Sequence, residues 1–452
     1  MNFRASDMWH LDLLIDLAMR ERKRNRNHPK LRELAEFYFD IFSASRRFFV
    51  DEWKCDLLSA FRELRESGAL EIIASAATHG SLPILRQQSP QATRAQVLIG
   101  RDVYVDLFGA ESAGFWLPEC AYAPGLESLL QEANIRWSVL DAHGLLFGTP
   151  PPERAIYAPC YTPAGPAVFA RDRDSSRQVW SAQEGYPGDP AYREFYRDVG
   201  FDLPMEHLGP IARGHRKFAG MKYHRITGRG EEKELYDREA AKKTAETHAV
   251  HFLEQRRQQI RETSGLGFDP MIVVPFDAEL LGHWWFEGPH FLEHFIRKAA
   301  CEQDLRLTTP SDYLAARPTL QIIQPAPSTW GENGHLSVWL DQSNAWIYPH
   351  LYAAARRMSE VARKHVNGAD LFSDRVLKQL ARELLLAQSS DWAFLIKTGT
   401  AREYATKRTM DHVARFNRLH DQFVANDVDE ELLCDCEWRD NLFPNVNWRY
   451  YI

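Results

Sequence analysis

Four short apolar runs in this chain each stop at an ionisable side chain, and that pattern constrains the fold more than any other feature. Residues 70–76 lead to Thr78-His79-Gly80, residues 114–118 to Glu119, residues 136–140 to Asp141 and His143, and residues 271–276 to Asp277. Helical periodicity fills the gaps at 90–108 and 126–133. Such a β-helix-β rhythm predicts a parallel sheet. The continuous apolar run before Asp277 reads as a strand buried on both faces. In barrels of this kind the chemistry gathers at the C-terminal strand ends, where all four runs place their polar residues.

Two of those residues answer each other. Glu119 follows GFWLP, and Asp277 is followed by ELLGHWWFEG, so each acid has tryptophan close by. Taken singly, either carboxylate could be a helix cap or an ion-pair member. A pair at two strand ends, both with aromatic surroundings, points to cleavage of a glycosidic bond, which needs one nucleophile or base and one acid.

Bulk properties agree with a neutral polymeric substrate. The net charge of −7 speaks against nucleic acid or an anionic membrane as partner. Thirteen Trp and 16 Tyr supply flat faces with polar edges, suited to sugar rings. Six scattered cysteines make no disulfide framework, and Cys434-x-Cys436 has no second pair to hold zinc. The expectation is a reducing cytoplasm. No segment has the length of a membrane helix, and Asp12 and Asp16 interrupt the run 11–19, so no signal peptide is read.

Along the chain, helices are expected at 8–25 and 30–67 with a turn at 25–29. The basic residues Arg20, Arg22, Lys23, Arg24 and Arg26 read as a solvated tip. Strands are expected at 168–171, 178–180 and 305–307, and helices at 238–263 and 289–301. The irregular stretch 181–202 reads as a lid with a tight turn at Tyr186 and Gly188. Beyond 343 the pattern is helical, at 351–365, 374–388 and 400–423, the last opening with a Thr400/Glu403 capping box. Trp330, Trp339 and Trp392 fall in the loops between them.

The blocks THGSLP, GFWLPECAYAPG, Asp141-x-His143, VWSAQEGYPGD, FDAELLGHWWFEG and SSDWAFLIKTG resemble, in order, the signature blocks of glycoside hydrolase family 57. The lid block and the helical tail are most similar to its 1,4-α-glucan branching enzymes. The resemblance implies an α/β fold: an incomplete (β/α)7 barrel with a helix-pair insert and a C-terminal all-helical domain. It divides the chain into 1–50 (helix pair), 51–317 (barrel, lid about 181–202) and 318–452 (helical domain). It implies Glu119 as nucleophile and Asp277 as proton donor. Arg171, Gly188, Trp330 and Asp391 would contact the glucan, and His79, Trp180, Tyr186 and Trp284 would line the cleft. No metal or other cofactor is expected. A retaining double displacement would transfer the cleaved chain of amylose or glycogen to a 6-hydroxyl, with the two carboxyls about 5–5.5 Å apart. One departure stands out: the family's opening His-x-His-x-Pro-Tyr block is missing, as if the first strands were absent or supplied by a separate N-terminal segment. Amylase-like hydrolysis and a truncated, non-catalytic glucan-binding protein are the alternatives.

Overall fold

The computed structural model describes residues 5–181, 184–212, 214–228, 230, 232–265 and 267–452. The chain forms two compact units, each assembled from three stretches: 1–71, 173–270 and 274–307 in one, and 72–172, 271–273 and 308–452 in the other.

The second unit holds the sheet. Strands β1 (Ala74–Ser75), β2 (Gly114–Trp116), β3 (Trp137–Leu140), β4 (Cys160–Tyr161) and β5 (Ala167–Ala170) lie in the order β1-β2-β3-β5-β4. The pairs β1-β2, β2-β3 and β3-β5 are parallel, and only β4 runs antiparallel to β5. Helix Pro90–Phe108 starts where Ser89 accepts from the Ala92 amide, with Pro90 in its first turn, and ends at Gly109 with φ +65°. Its Gly100 lies so close to β1 that a Cβ there would stand 2.0 Å from the Ser75 carbonyl oxygen. Gln96 on the same helix accepts from the Thr78 amide at 3.1 Å and donates to Gln388 at 3.0 Å. The C-terminal helices Ile347–Lys364, Leu371–Ala387, Arg402–Val424 and Glu430–Arg439 share a core that includes Met358, Leu377, Leu384, Phe416 and Trp448, and Ser390–Thr398 packs Ala393 and Ile396 into a separate cluster with Trp339 and Ile347.

The first unit is organised around the helix hairpin Ala5–Arg24 and Pro29–Arg47 and the long helix Arg238–Ser264. On that long helix Ala241, Ala245 and Ala249, one turn apart, are fully buried. They join Leu17, Tyr38, Phe252, Trp285 and Phe291 in one core.

Several elements differ from the sequence expectations. The helix expected at 30–67 breaks: a π-turn at Phe48–Glu52 intervenes, Lys54 and Cys55 take positive φ, and Asp56 caps a new helix, Leu57–Glu66. Residues 178–180 end the helix Arg173–Trp180 and are not a strand, and 305–307 are irregular. The run before Asp277 makes one parallel bridge, Arg171 to Val273, and 272–276 are only half-buried. Its apolar side chains therefore do not mark a strand covered on both faces. Trp392 lies within helix Ser390–Thr398, not a loop. The capping box also fails by one residue: Ala401 occupies the cap of Arg402–Val424 with no side-chain bond, and Thr400 pairs with Thr398 at 2.9 Å. Nor is the basic tip merely solvated. Arg24 makes two 2.7 Å bonds to the fully buried Glu21, which also meets His207 at 2.8 Å and Tyr223 at 3.0 Å. Within the expected lid, Ala182 and Gln183 lie outside the described residues.

Candidate active site

Glu119 stands just past β2, in the turn Pro118–Cys120, with φ +62° and ψ +23°. A left-handed backbone is unfavourable for a residue carrying a side chain, so the surroundings must hold it. They do so at both ends of the residue. Its carbonyl oxygen accepts from Thr329 Oγ1 at 2.9 Å and from the Trp330 amide at 3.3 Å. Its carboxylate accepts from Ser390 Oγ at 2.7 Å on one oxygen and from Trp330 Nε1 at 3.2 Å on the other. The residue is only 9 % exposed.

His79 completes this arrangement. It too has positive φ, and its carbonyl accepts from the Ser390 amide at 3.1 Å. Its Nδ1 lies 3.0 Å from Ser390 Oγ and 3.6 Å from Glu119 Oε1. An ionised carboxylate can only accept, so the Ser390 proton goes to Glu119 and Nδ1 of His79 must donate to Ser390. The result is a line of donors aimed at one carboxylate oxygen. The adjacent Cys120 is fully buried, and that burial, with Asp141 and Glu119 nearby, pushes its thiol far above the usual range and leaves it inert.

A second cluster lies at the ends of β3 and β5. Buried Asp141 pairs with His143 Nδ1 at 2.8 Å and with Arg171 Nη2 at 2.9 Å. The Arg171 guanidinium sits 5.7 Å from the Trp330 ring centre, and Trp330 in turn lies 5.0 Å from Trp116. Trp330 therefore meets the Glu119 carboxylate with its indole N–H while the Arg171 guanidinium lies over its ring face. Asp391 is exposed in the first turn of helix Ser390–Thr398. A cavity of about 530 Å³ opens beside Thr329, lined among others by Arg86, Tyr122, Ser328 and His335.

The family's sequence profile for glycosyl hydrolase family 57 matches residues 9–324, and a second, described as the C-terminal part of 1,4-alpha-glucan branching enzyme, matches 350–451. The chain belongs to glycosyl hydrolase family 57. It is 35 % identical to the 1,4-alpha-glucan branching enzyme TK1436 of Thermococcus kodakarensis over 439 residues, covering 88 % of this chain but 62 % of that enzyme. The chain thus spans less than two thirds of that relative's length. Among solved structures it is similar to the alpha-amylase AmyC from Thermotoga maritima, with TM-score 0.93 and 40 % identity over 100 % of this chain and 87 % of that one. It is also similar to the family 57 branching enzyme from Pyrococcus horikoshii, with TM-score 0.88 and 33 % identity over 98 % of this chain and 82 % of that one.

Of the residues expected at a family 57 site, Glu119, His79, Arg171 and Trp330 come together, with Asp391 next to Ser390. The others lie in the first unit. Asp277 precedes the turn Ala278–Leu280, and its carbonyl accepts from the Leu280 amide at 3.2 Å. Trp284 is half exposed and stacks on Phe195 at 4.6 Å. Trp180 ends its helix, partly exposed, and Gly188 closes the turn Tyr186–Gly188. The Tyr186 ring packs among His248, Phe252, Trp285 and Phe291. Sequence reading passed over Ser390 and Thr329, both of which hold Glu119. The SSDW block flagged the right turn but drew attention to its aspartate.

One further group has the side chains of a metal site: Glu383, His412 and Asp440, all buried. Arg408 donates to His412 Nε2 at 2.9 Å, which obliges Nδ1 to carry the proton it gives Glu383 at 2.8 Å. Arg415 lies 2.7 Å from Asp440. The arginines already supply the positive charge, so the group reads as an internal ion network.

Proposed function

We propose that this chain acts as a 1,4-α-glucan branching enzyme, cleaving an α-1,4 link and moving the chain to a 6-hydroxyl. The observation that carries the reading is the Glu119 carboxylate, fixed by Ser390 and Trp330 at a strand end. A carboxylate held by oriented donors is ready to attack an anomeric carbon. Glu119 forms the covalent glucosyl-enzyme while Asp277 protonates the departing oxygen, and Asp277 then takes the proton of the acceptor 6-hydroxyl. Arg171, Trp330, Asp391 and Gly188 contact the glucan; His79, Trp180, Tyr186 and Trp284 wall the cleft. The stretch 181–202 serves as the lid of a catalytic part at 51–317, between the helix pair 1–50 and the helical part 318–452. The substrate is amylose or glycogen. The six free cysteines fit work in a reducing cytoplasm.

Incubation of the purified protein with amylose tests this reading, counting new α-1,6 links by debranching and new reducing ends in parallel. Branching predicts α-1,6 links in excess of reducing ends, and none of them with Glu119→Gln. Reducing ends without α-1,6 links would replace the reading with hydrolysis, the activity named for the Thermotoga structure. No product of either kind would leave a glucan-binding protein.

A further inference from the structure

The helix Arg238–Ser264 presents His248 and His251 on one side, three residues apart, toward the segment that follows Gly185. Tyr186 stacks on the His248 ring at 4.6 Å with 26° between planes, and its hydroxyl lies 2.7 Å from His251 Nδ1. Tyr192 reaches the same turn, its hydroxyl 2.7 Å from His248 Nδ1, while His248 Nε2 faces Asp189 at 3.6 Å. One helical turn therefore grips the segment at 186, 189 and 192. With Asp189 beside Nε2, the His248 proton belongs there, and Nδ1 accepts from Tyr192. Burial lowers the His248 pKa, Asp189 opposing and His251 adding to it, which agrees with a neutral ring.

We infer that His248 and His251 are positioning residues: they hold Tyr186 in place, and so set whether the glucosyl-enzyme passes to a sugar hydroxyl or to water. This rests on the branching reading above. Neither imidazole need touch substrate. The hydroxyl of Tyr186 has a polar anchor in His251, and its ring is stacked on His248. Gly185 and Pro187 flank the tyrosine, and a Cβ on Gly185 would stand 2.4 Å from the Ser181 carbonyl oxygen, so the segment doubles back on its own start. Without the anchor, the segment opens and water competes with the acceptor hydroxyl for the same intermediate.

The test uses the full chain with His251→Phe, which keeps a ring and removes the hydrogen-bonding nitrogen, and His251→Asn, which keeps a polar group near the Nδ1 position that can donate or accept. His251 is exposed, so neither change disturbs the core. The expected result for His251→Phe is a fall of about fivefold in the ratio of α-1,6 links to reducing ends, the weight of one hydrogen bond. Total turnover should stay unchanged, and His251→Asn should restore the ratio. Tyr186→Phe should show the same fall, and the double variant Tyr186→Phe/His251→Phe no more. An unchanged ratio in His251→Phe, or additive falls in the double variant, overturns the inference. Amide hydrogen exchange over 184–192 reads the anchoring without reference to product. If the wild type makes no α-1,6 links, the branching reading fails by itself. Faster exchange in His251→Phe but not His251→Asn then still supports the anchoring, and equal exchange in all three overturns it.

Discussion

The backbone of Glu119 shows what a candidate nucleophile demands of its neighbours. With φ at +62°, it is bound in place by Thr329, Trp330 and Ser390. A hydrogen bond to a charged group is worth about 1.5–3 kcal/mol. Ser390→Ala should therefore lower kcat by roughly tenfold or more with the circular dichroism unchanged, and Ser390→Thr should recover part of it. Wild-type kcat in Ser390→Ala would show that the bond does not serve the reaction. Asp141 makes a separate prediction. It balances Arg171, and Asp141→Asn removes that negative charge and leaves the largely buried guanidinium without its counter-ion, so stability should drop by about 3–5 kcal/mol on chemical denaturation. At this scale the acids were legible because an acid ending an apolar run is a local pattern. Ser390 was not, since it lies 271 residues from the carboxylate it holds.

Among the elements, the helices were easier to read than the strands. A helix writes its buried face over many turns, as Leu377, Leu380 and Leu384 do on Leu371–Ala387. The strands here run two to four residues, too short for any period, and residues 178–180, read as a strand, are the end of helix Arg173–Trp180. Caps depend on a single position, and Thr400 sits one residue too early for Arg402–Val424. Placing an acceptor where it belongs, Ala401→Ser, should add about 1 kcal/mol of stability by denaturant titration. The helix hairpin offers a pH test. Burial pushes the Glu21 pKa up, but bonds from Arg24, Tyr223 and His207 outweigh it and bring the net value below the ordinary 4.5. A carboxyl with a lowered folded pKa stabilises the fold above its unfolded pKa, and that contribution disappears as pH falls through the folded value. Glu21→Gln should therefore cost about 2–3 kcal/mol at neutral pH, and the gap to wild type should close below the ordinary carboxylate range. A gap that widens in acid would contradict the assignment.

For the whole molecule, sequence gives order along the chain, whereas compactness gathers stretches that are far apart. Residues 271–273 belong with the sheet while their neighbours on both sides belong to the other unit. Partners distant in sequence, Tyr157, Arg171 and Asp172, reveal that, and no local composition encodes it. Overall charge was simpler to use. The substrate proposed above is an uncharged polymer, which the field of a chain of net charge −7 does not steer, so KM for amylose should change by less than about twofold from low to roughly molar salt. A steep salt dependence would point to a charged ligand instead.

The seating of helix Pro90–Phe108 on β1 reaches further than the helix itself. With no hydrogen to spare between Gly100 and the Ser75 oxygen, a single methyl group there would act as a wedge. The chain just beyond Ser75 carries the imidazole that faces Ser390, so the wedge would be felt four residues on, at a residue it never touches. A glycine on the far side of a strand is, in that sense, part of the aim of the candidate nucleophile.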